Sequence, residues 1–408
     1  MAHITVLHDE IIARLQAFCN GDTYTAISRL TYPYIRRNTN TFHRCLFQDK
    51  PFVQLLDETG NFPRTKKLIK QVSLINTISS QEFAEVMVAL NSEFYPMLTQ
   101  PSTKGRIKEY NTTSLADWKQ KDRRIKSLLG NYEVYHDVEA VNDIHKHFSK
   151  RRLFSDVFIH GSVATNEVCQ FSDINCIVVL ERSVVFDTEK LLRAQNVITN
   201  GRIYLDAFNV WNHHGYGVLN EIDLDYYRES YLPSIVLKES LNLCERPLRV
   251  RIIPESKENK KVQHARLLRY FDAIKKHPWH NEYYLGHMLD LALMLPSLFL
   301  ADKGIRCSKK ESFVLIDHYL SNDDRKLLKD IEQARLDWPY NKLMSYENRR
   351  NLIRTVNPLV WKGLVKYRNG TEGHDFVFAS ARRLQKNNGE LVHNILKFTR
   401  IMERSCKS

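Results

Sequence analysis

No Cys-x-x-Cys pair occurs anywhere in the chain. Its seven cysteines, Cys19, Cys45, Cys169, Cys176, Cys244, Cys307 and Cys406, lie far apart and are odd in number. That spacing argues against a zinc site built on paired thiols and against a disulfide framework, and it implies reduced thiols in a cytoplasmic setting. An uninterrupted apolar run is also missing. The most apolar stretch, Tyr283 to Ala301, is broken by His287, Asp290 and Pro296, which reads as a buried helix with no membrane partner. The opening residues, MAHITVLHDE, hold neither a basic segment nor a long apolar one, so no leader peptide is expected.

What is present is a globular composition: 408 residues, 43% hydrophobic and 11% aromatic. This excludes a disordered chain and gives room for two or three domains, each with its own core. The net charge of +13 is spread unevenly. Residues 1–150 carry 20 basic and 16 acidic side chains, residues 151–255 carry 11 and 14, and residues 256–408 carry 29 and 17. A mildly acidic middle therefore lies between basic flanks. The basic final third is suited to holding RNA, since counterion release gives such surfaces sequence-independent affinity for phosphate. A pocket for cationic small molecules would want more carboxylates than that third has.

Within the acidic middle, Val157 to Leu180 reads VFIHGSVATNEVCQFSDINCIVVL. Two β-branched and aromatic runs, Val157 to Ile159 and Ile174 to Leu180, predict two buried strands around a polar loop. The strand period of two places Asp173 and Asn175 on one face, with their oxygens side by side. Hard oxygen donors of this kind suit Mg²⁺, which keeps phosphate oxygens in its shell. A Gly-Ser turn at Gly161 and Ser162 can bring backbone N–H groups and a hydroxyl close to phosphate, because glycine has no Cβ in the way.

The order Gly161-Ser162, then Ser172-Asp173-Ile174-Asn175, resembles the signature of the DNA polymerase beta superfamily of nucleotidyltransferases, Gly-Ser followed after a short spacer by Ser-Asp-Ile-Asp. Ala164 and Thr165 are similar to the small residues that fill that spacer. The resemblance implies a third carboxylate on a neighbouring strand, and Asp206, in the alternating stretch Arg202 to Val210, is the matching position. It further implies that Gly161, Ser162 and Ser172 hold a nucleoside triphosphate. Asp173, Asn175 and Asp206 would hold Mg²⁺ or Mn²⁺ while a nucleoside monophosphate passes to an acceptor hydroxyl.

Asn175 stands where the family has its second aspartate. Its carbonyl can still face a metal, but it brings no charge. Unit charges about 4 Å apart interact by roughly 4 kcal/mol at an effective dielectric of about 20. Losing one carboxylate is therefore expected to slow transfer by about two to three decades, at about 1.4 kcal/mol per decade. A slowed enzyme, a protein that keeps the fold without catalysis and binds nucleotide, RNA or a protein partner, and an introduced Asp-to-Asn exchange all fit the sequence.

The remaining expectations concern layout. The class is α+β: a small mixed sheet forming the nucleotidyltransferase-like core, residues 115–255, with an N-terminal helical region, residues 1–114, and a basic C-terminal helical domain, residues 256–408. Helical spacing is found in His8 to Leu30, Glu82 to Tyr95, Leu115 to Leu129 and Val134 to Phe148. In the last third it recurs in Val262 to Lys276, Glu282 to Lys303, Asp323 to Trp338 and Phe376 to Met402. Tyr231 to Arg246 resembles the helix and short strand that close such cores. Helices after a core of this type resemble the HEPN or kanamycin-nucleotidyltransferase arrangement. Arg368 and His374 are similar to the ribonuclease motif of HEPN domains, although Gly370 and Gly373 favour a loop there. Tyr32, Tyr34 and Phe42 beside Arg36, Arg37 and Arg44 could stack bases and hold phosphates, or pack inward as a connector. His213 and His214 read as solvated loop residues, and Asp223 and Asp225 alternate as strand residues do.

Overall fold

The structure, a computed structural model, describes residues 2–20, 50–72, 79–98, 105–110, 112–120, 124–126, 132–134, 137–149, 151–165, 172–209, 215–229, 232–244, 247–254, 257–276, 282–336, 346–355 and 388–407. It is mixed α+β, with many helices around small sheets. The strands in chain order are β1 (Arg106–Tyr110), β2 (Arg124–Lys126), β3 (Tyr132–Val134), β4 (Phe154–His160), β5 (Asn175–Leu180), β6 (Gly217–Asn220), β7 (Leu241–Asn242) and β8 (Leu248–Ile252).

The central sheet has four strands in the order β6-β5-β4-β7. β5 and β7 run antiparallel to β4, and β6 runs parallel to β5. Side chains alternate between two apolar layers, as the strand period requires. Val157, Ile159, Cys176, Val178, Leu180 and Val218 join one cluster, and Phe158, Ile177, Val179 and Leu219 join the other. Burial on both faces explains why β4 and β5 are continuous apolar runs.

The larger layer is supplied by helices from three parts of the chain. Leu7, Ile11, Leu15 and Phe18 of the helix Ala2–Cys19 recur at helical spacing and enter it, as do Phe83, Met87, Leu90 and Phe94 of Ser80–Leu98. The long helix Thr188–Phe208 crosses from β5 to β6; it opens on Asp187, whose side chain accepts from the Lys190 amide at 3.0 Å. From the last third of the chain, the helix Tyr346–Thr355 contributes Tyr346 and Ile353 to the same layer. Its Tyr346 hydroxyl donates to Asp143 at 3.0 Å, and Arg350 pairs with the same carboxylate.

A polar knot fastens the N-terminal helices to the end of β6. His8 Nε2 lies 2.8 Å from Asp223 Oδ1, and the Tyr95 hydroxyl donates to the same oxygen at 3.1 Å. Asn220 donates from Nδ2 to the Tyr95 hydroxyl and to Asp223 Oδ2, each at 2.7 Å. All four residues are buried. Asp223 thus sits in the short helix Glu221–Asp225 and closes a capping box with Asn220, where alternation had suggested a strand.

A second apolar cluster is built wholly from the C-terminal helices Lys257–Lys276, Glu282–Asp302, Asn322–Leu336 and Asn388–Lys407, with the short segments between them. The helix Glu282–Asp302 is long and apolar enough to cross a membrane by length and composition, and 61% of its apolar window is buried here, at the centre of this cluster.

Three sequence expectations need correcting. Arg202 to Phe208 is the end of the long helix and contains no strand; Leu205, Asp206, Ala207 and Phe208 are all buried, so burial does not follow the local alternation of residue types. The stretch from Leu115 is helical only to Gln120, and Arg124–Lys126 pairs with Tyr132–Val134 as a hairpin. Residue 134 consequently belongs to a strand, and the following helix begins at Asp137. His213, His214, Arg368, His374 and the aromatic-basic stretch from Thr31 to Arg44 lie outside the described residues.

Candidate active site

The site forms where β4 ends and β5 begins. In the antiparallel register His160 faces Asn175, so the next residue, Gly161, turns directly beside the first residue of β5. Gly161 has φ 76, a left-handed conformation that costs other residues about 1–2 kcal/mol. A Cβ there would meet the Asn175 side-chain nitrogen at 3.5 Å, an ordinary contact. Backbone conformation, not crowding, is therefore what calls for glycine.

Ser162–Thr165 follows as a single helical turn. It is fixed from inside: Val163 and Ala164 are buried, Thr165 N donates to the Gly161 carbonyl at 3.1 Å, and the buried Trp118 indole donates to the Val163 carbonyl at 2.8 Å. The turn that carries Ser162 is thus held on a core tryptophan from a different part of the chain.

β5 begins at Asn175, so Asp173 lies just ahead of the strand. The two side chains meet as the sequence suggests, but through a hydrogen bond: Asn175 Nδ2 donates to Asp173 Oδ1 at 3.0 Å. Ser172 is buried, and its carbonyl accepts from Asn209 Nδ2 at 3.1 Å. The end of the long helix is tied in this way to the backbone that leads into Asp173. Gly161, Ser162, Ser172, Asp173 and Asn175 are therefore brought to one end of the sheet.

Asp206 is placed differently from its expected position on a third strand. It lies on the long helix one turn before Asn209, is 2% exposed, and has Arg202 Nε 3.8 Å from its Oδ2. Its charge also acts on Tyr216, whose hydroxyl is kept protonated first of all by burial. The strand that does lie beside β5 is β6, starting at Gly217 opposite Ile177. Carrying this register back to the level of Asn175 reaches Gly215, which packs against Asn20; that side chain donates to the Tyr216 carbonyl at 2.7 Å and accepts from the Tyr216 amide at 2.9 Å. The neighbouring strand offers no carboxylate at this level.

One carboxylate far along the chain feels the charge of Asp173. Burial pushes Asp290 up to about 6; Lys309 opposes the shift, the charge of Asp173 adds to it, and Arg335 opposes it. The charge of Asp173 is thus one of several influences on a carboxylate of the C-terminal helix Glu282–Asp302. In the sequence Asp290 stands out only as an acid inside an otherwise apolar run.

Asp173 and the carbonyl of Asn175 are hard donors that fit one divalent ion carried in with a nucleotide, but with a single charge at the turn they do not make a two-ion centre. Among the described residues, no group of three or more His, Cys, Asp or Glu side chains is arranged to hold a metal. No family model matches the chain, and neither curated proteins nor solved structures give a match. The likeness to polymerase beta-type nucleotidyltransferases rests on the motif residues themselves.

Proposed function

We propose that the chain binds a nucleoside triphosphate at the Gly161-Ser162 turn and transfers its nucleoside monophosphate to an acceptor hydroxyl, RNA being the favoured acceptor. One observation supports this reading: with Asn175 set against His160 in the register, the left-handed Gly161 and the turn that begins at Ser162 lie at the same end of the sheet as Asp173. Backbone N–H groups freed at such a turn suit phosphate oxygens, and the Ser162 hydroxyl adds a further donor. An Mg²⁺ or Mn²⁺ ion bound with the nucleotide would be held by Asp173 and the Asn175 carbonyl and would neutralise phosphate charge. Positioning is then the chain's main contribution: the turn orients the triphosphate, and the Trp118 bond keeps the turn in place.

A second reading is favoured by the Asn175–Asp173 hydrogen bond. The pair satisfies itself without an ion, which suits a protein that keeps the nucleotide-binding turn and has given up transfer. Pyrophosphate release separates the two, measured with each labelled nucleoside triphosphate in the presence of total RNA or protein extract. Transfer predicts that Asn175→Asp raises release and that Asp173→Ala abolishes it. Background release from Asn175→Asp with every acceptor would remove the enzyme reading and leave the binding one.

A further inference from the structure

At the end of the sheet opposite the Gly161 turn, the surface of the chain forms an open cavity of about 810 Å³. β4 starts and β5 stops here, joined by a bond from the Glu181 amide to the Leu153 carbonyl at 3.0 Å. One side of the cavity is the loop holding Arg151 and Arg152. The other is the face of the long helix that carries Lys190 and Arg193, and these four cations meet a single carboxylate in the lining, Glu181.

The cations are not used up by the fold. Arg151 Nε donates to the His147 carbonyl at 2.9 Å, which orients its guanidinium. Lys190 Nζ lies 3.3 Å from the Ser183 hydroxyl and 4.0 Å from Asp187. Arg152 and Arg193 are exposed, and neither has an ion-pair partner among the described residues. Like charges gathered in one concavity repel unless an anion enters. Guanidinium groups take pairs of anionic oxygens, and several cations around one concavity suit a ligand that carries several negative charges in a row, as a run of phosphates does.

The lining also says what is not recognised. It contains no aromatic ring, so the aromatic platform on which single-strand binders stack successive bases is missing. We infer that this cavity binds a run of phosphates without reading bases: either the backbone of an RNA strand or a free polyphosphate. The seven residues of β4 separate it from the Gly161 turn by roughly 20 Å at about 3.3 Å per residue. It is thus a second anion site, and it requires neither nucleotide nor divalent ion at the first.

The test is fluorescence anisotropy of a labelled 20-nucleotide oligouridine RNA, with inorganic tripolyphosphate as competitor and EDTA present, on the full chain. The variants are Arg152→Gln/Arg193→Gln and, as a control, Lys276→Gln, which alters an exposed cation on a C-terminal helix. In 0.1 M salt the double variant is expected to lose about tenfold or more in affinity, and its logarithmic salt slope to fall by about 1.4, two single-strand contacts at about 0.7 each. RNA binding displaced by tripolyphosphate identifies a strand backbone, and binding of tripolyphosphate alone identifies a free polyphosphate; either supports the site when the double variant weakens it. On the unmodified chain, tripolyphosphate should also protect Arg152 and Arg193 from phenylglyoxal. Equal affinity of the unmodified and double-variant chains, an equal loss in Lys276→Gln, absence of binding by both probes, or absence of protection overturns the proposal.

Discussion

Asn175 donates its side-chain amide to the Asp173 carboxylate at 3.0 Å, at the point where β5 begins. With aspartate at 175 two like charges would face one another there, and a cation would be the natural relief. With asparagine the pair is complete without one. Asn175→Asp should therefore lower stability by roughly 2 kcal/mol in EDTA, from repulsion at a high effective dielectric. Millimolar Mg²⁺ should restore most of it. Urea unfolding midpoints with and without Mg²⁺ check this, and the unmodified chain is expected to show little Mg²⁺ dependence.

Trp118 holds the turn from below through its bond to the Val163 carbonyl. Trp118→Phe keeps a ring in the core but leaves that buried carbonyl unpaired, which should cost about 1–3 kcal/mol. Nucleotide affinity should fall as well, because the Ser162 turn loses its support. Chemical denaturation and nucleotide titration of the same variant measure the two effects separately.

Asp223 accepts from His8, Tyr95 and Asn220 in the buried knot. Asp223→Ala leaves all three facing a void and should destabilise the chain by about 3–5 kcal/mol. A double-mutant cycle with Tyr95→Phe should show strong coupling, since both changes break the same network. Additive effects in that cycle would show that the two side chains act independently.

His147 sets a pH dependence of known sign. Burial lowers its pKa below 6.5; a bond from Nε2 to the Val197 carbonyl at 2.8 Å works against this, and the charge of Arg151 adds to it. The folded chain thus binds this proton less readily than the unfolded chain. Its stabilising contribution is complete above pH 6.5 and is lost as pH falls through the lowered folded value. His147→Gln, which can still donate to the carbonyl, should flatten that part of the stability–pH curve below pH 6.5. An unchanged curve would mean that other groups set the slope.

The strands at the site were legible because burial on both faces makes β4 and β5 near-continuous apolar runs, and because glycine is the natural residue for a left-handed turn such as Gly161. Asp206 was misread for a physical reason. Ile203, Leu205 and Ala207 alternate with Arg202, Tyr204 and Asp206, which is a strand pattern, while the packing that makes the segment helical depends on Ala194, Ile198, Gly201 and Leu205 over a longer span. β6 is only four residues long and opens with glycine, too short to announce itself. The charge of Asp173 acts on Asp290 across more than a hundred residues of sequence, and no local pattern encodes such an influence. The basic cavity is likewise assembled from two segments that the sequence keeps apart.

Binding of nucleotide at the Gly161 turn is tested most directly by calorimetric titration of each of the four nucleoside triphosphates, with Mg²⁺, into the unmodified chain, Gly161→Ala and Asp173→Ala. Gly161→Ala should cost about 1–2 kcal/mol of stability and should weaken binding by distorting the turn. At least one triphosphate is predicted to bind saturably to the unmodified chain and about tenfold or more weakly to both variants, in line with the loss of one charge-assisted contact. Failure of all four to bind, or equal binding by the three proteins, would contradict a nucleotide site at this turn.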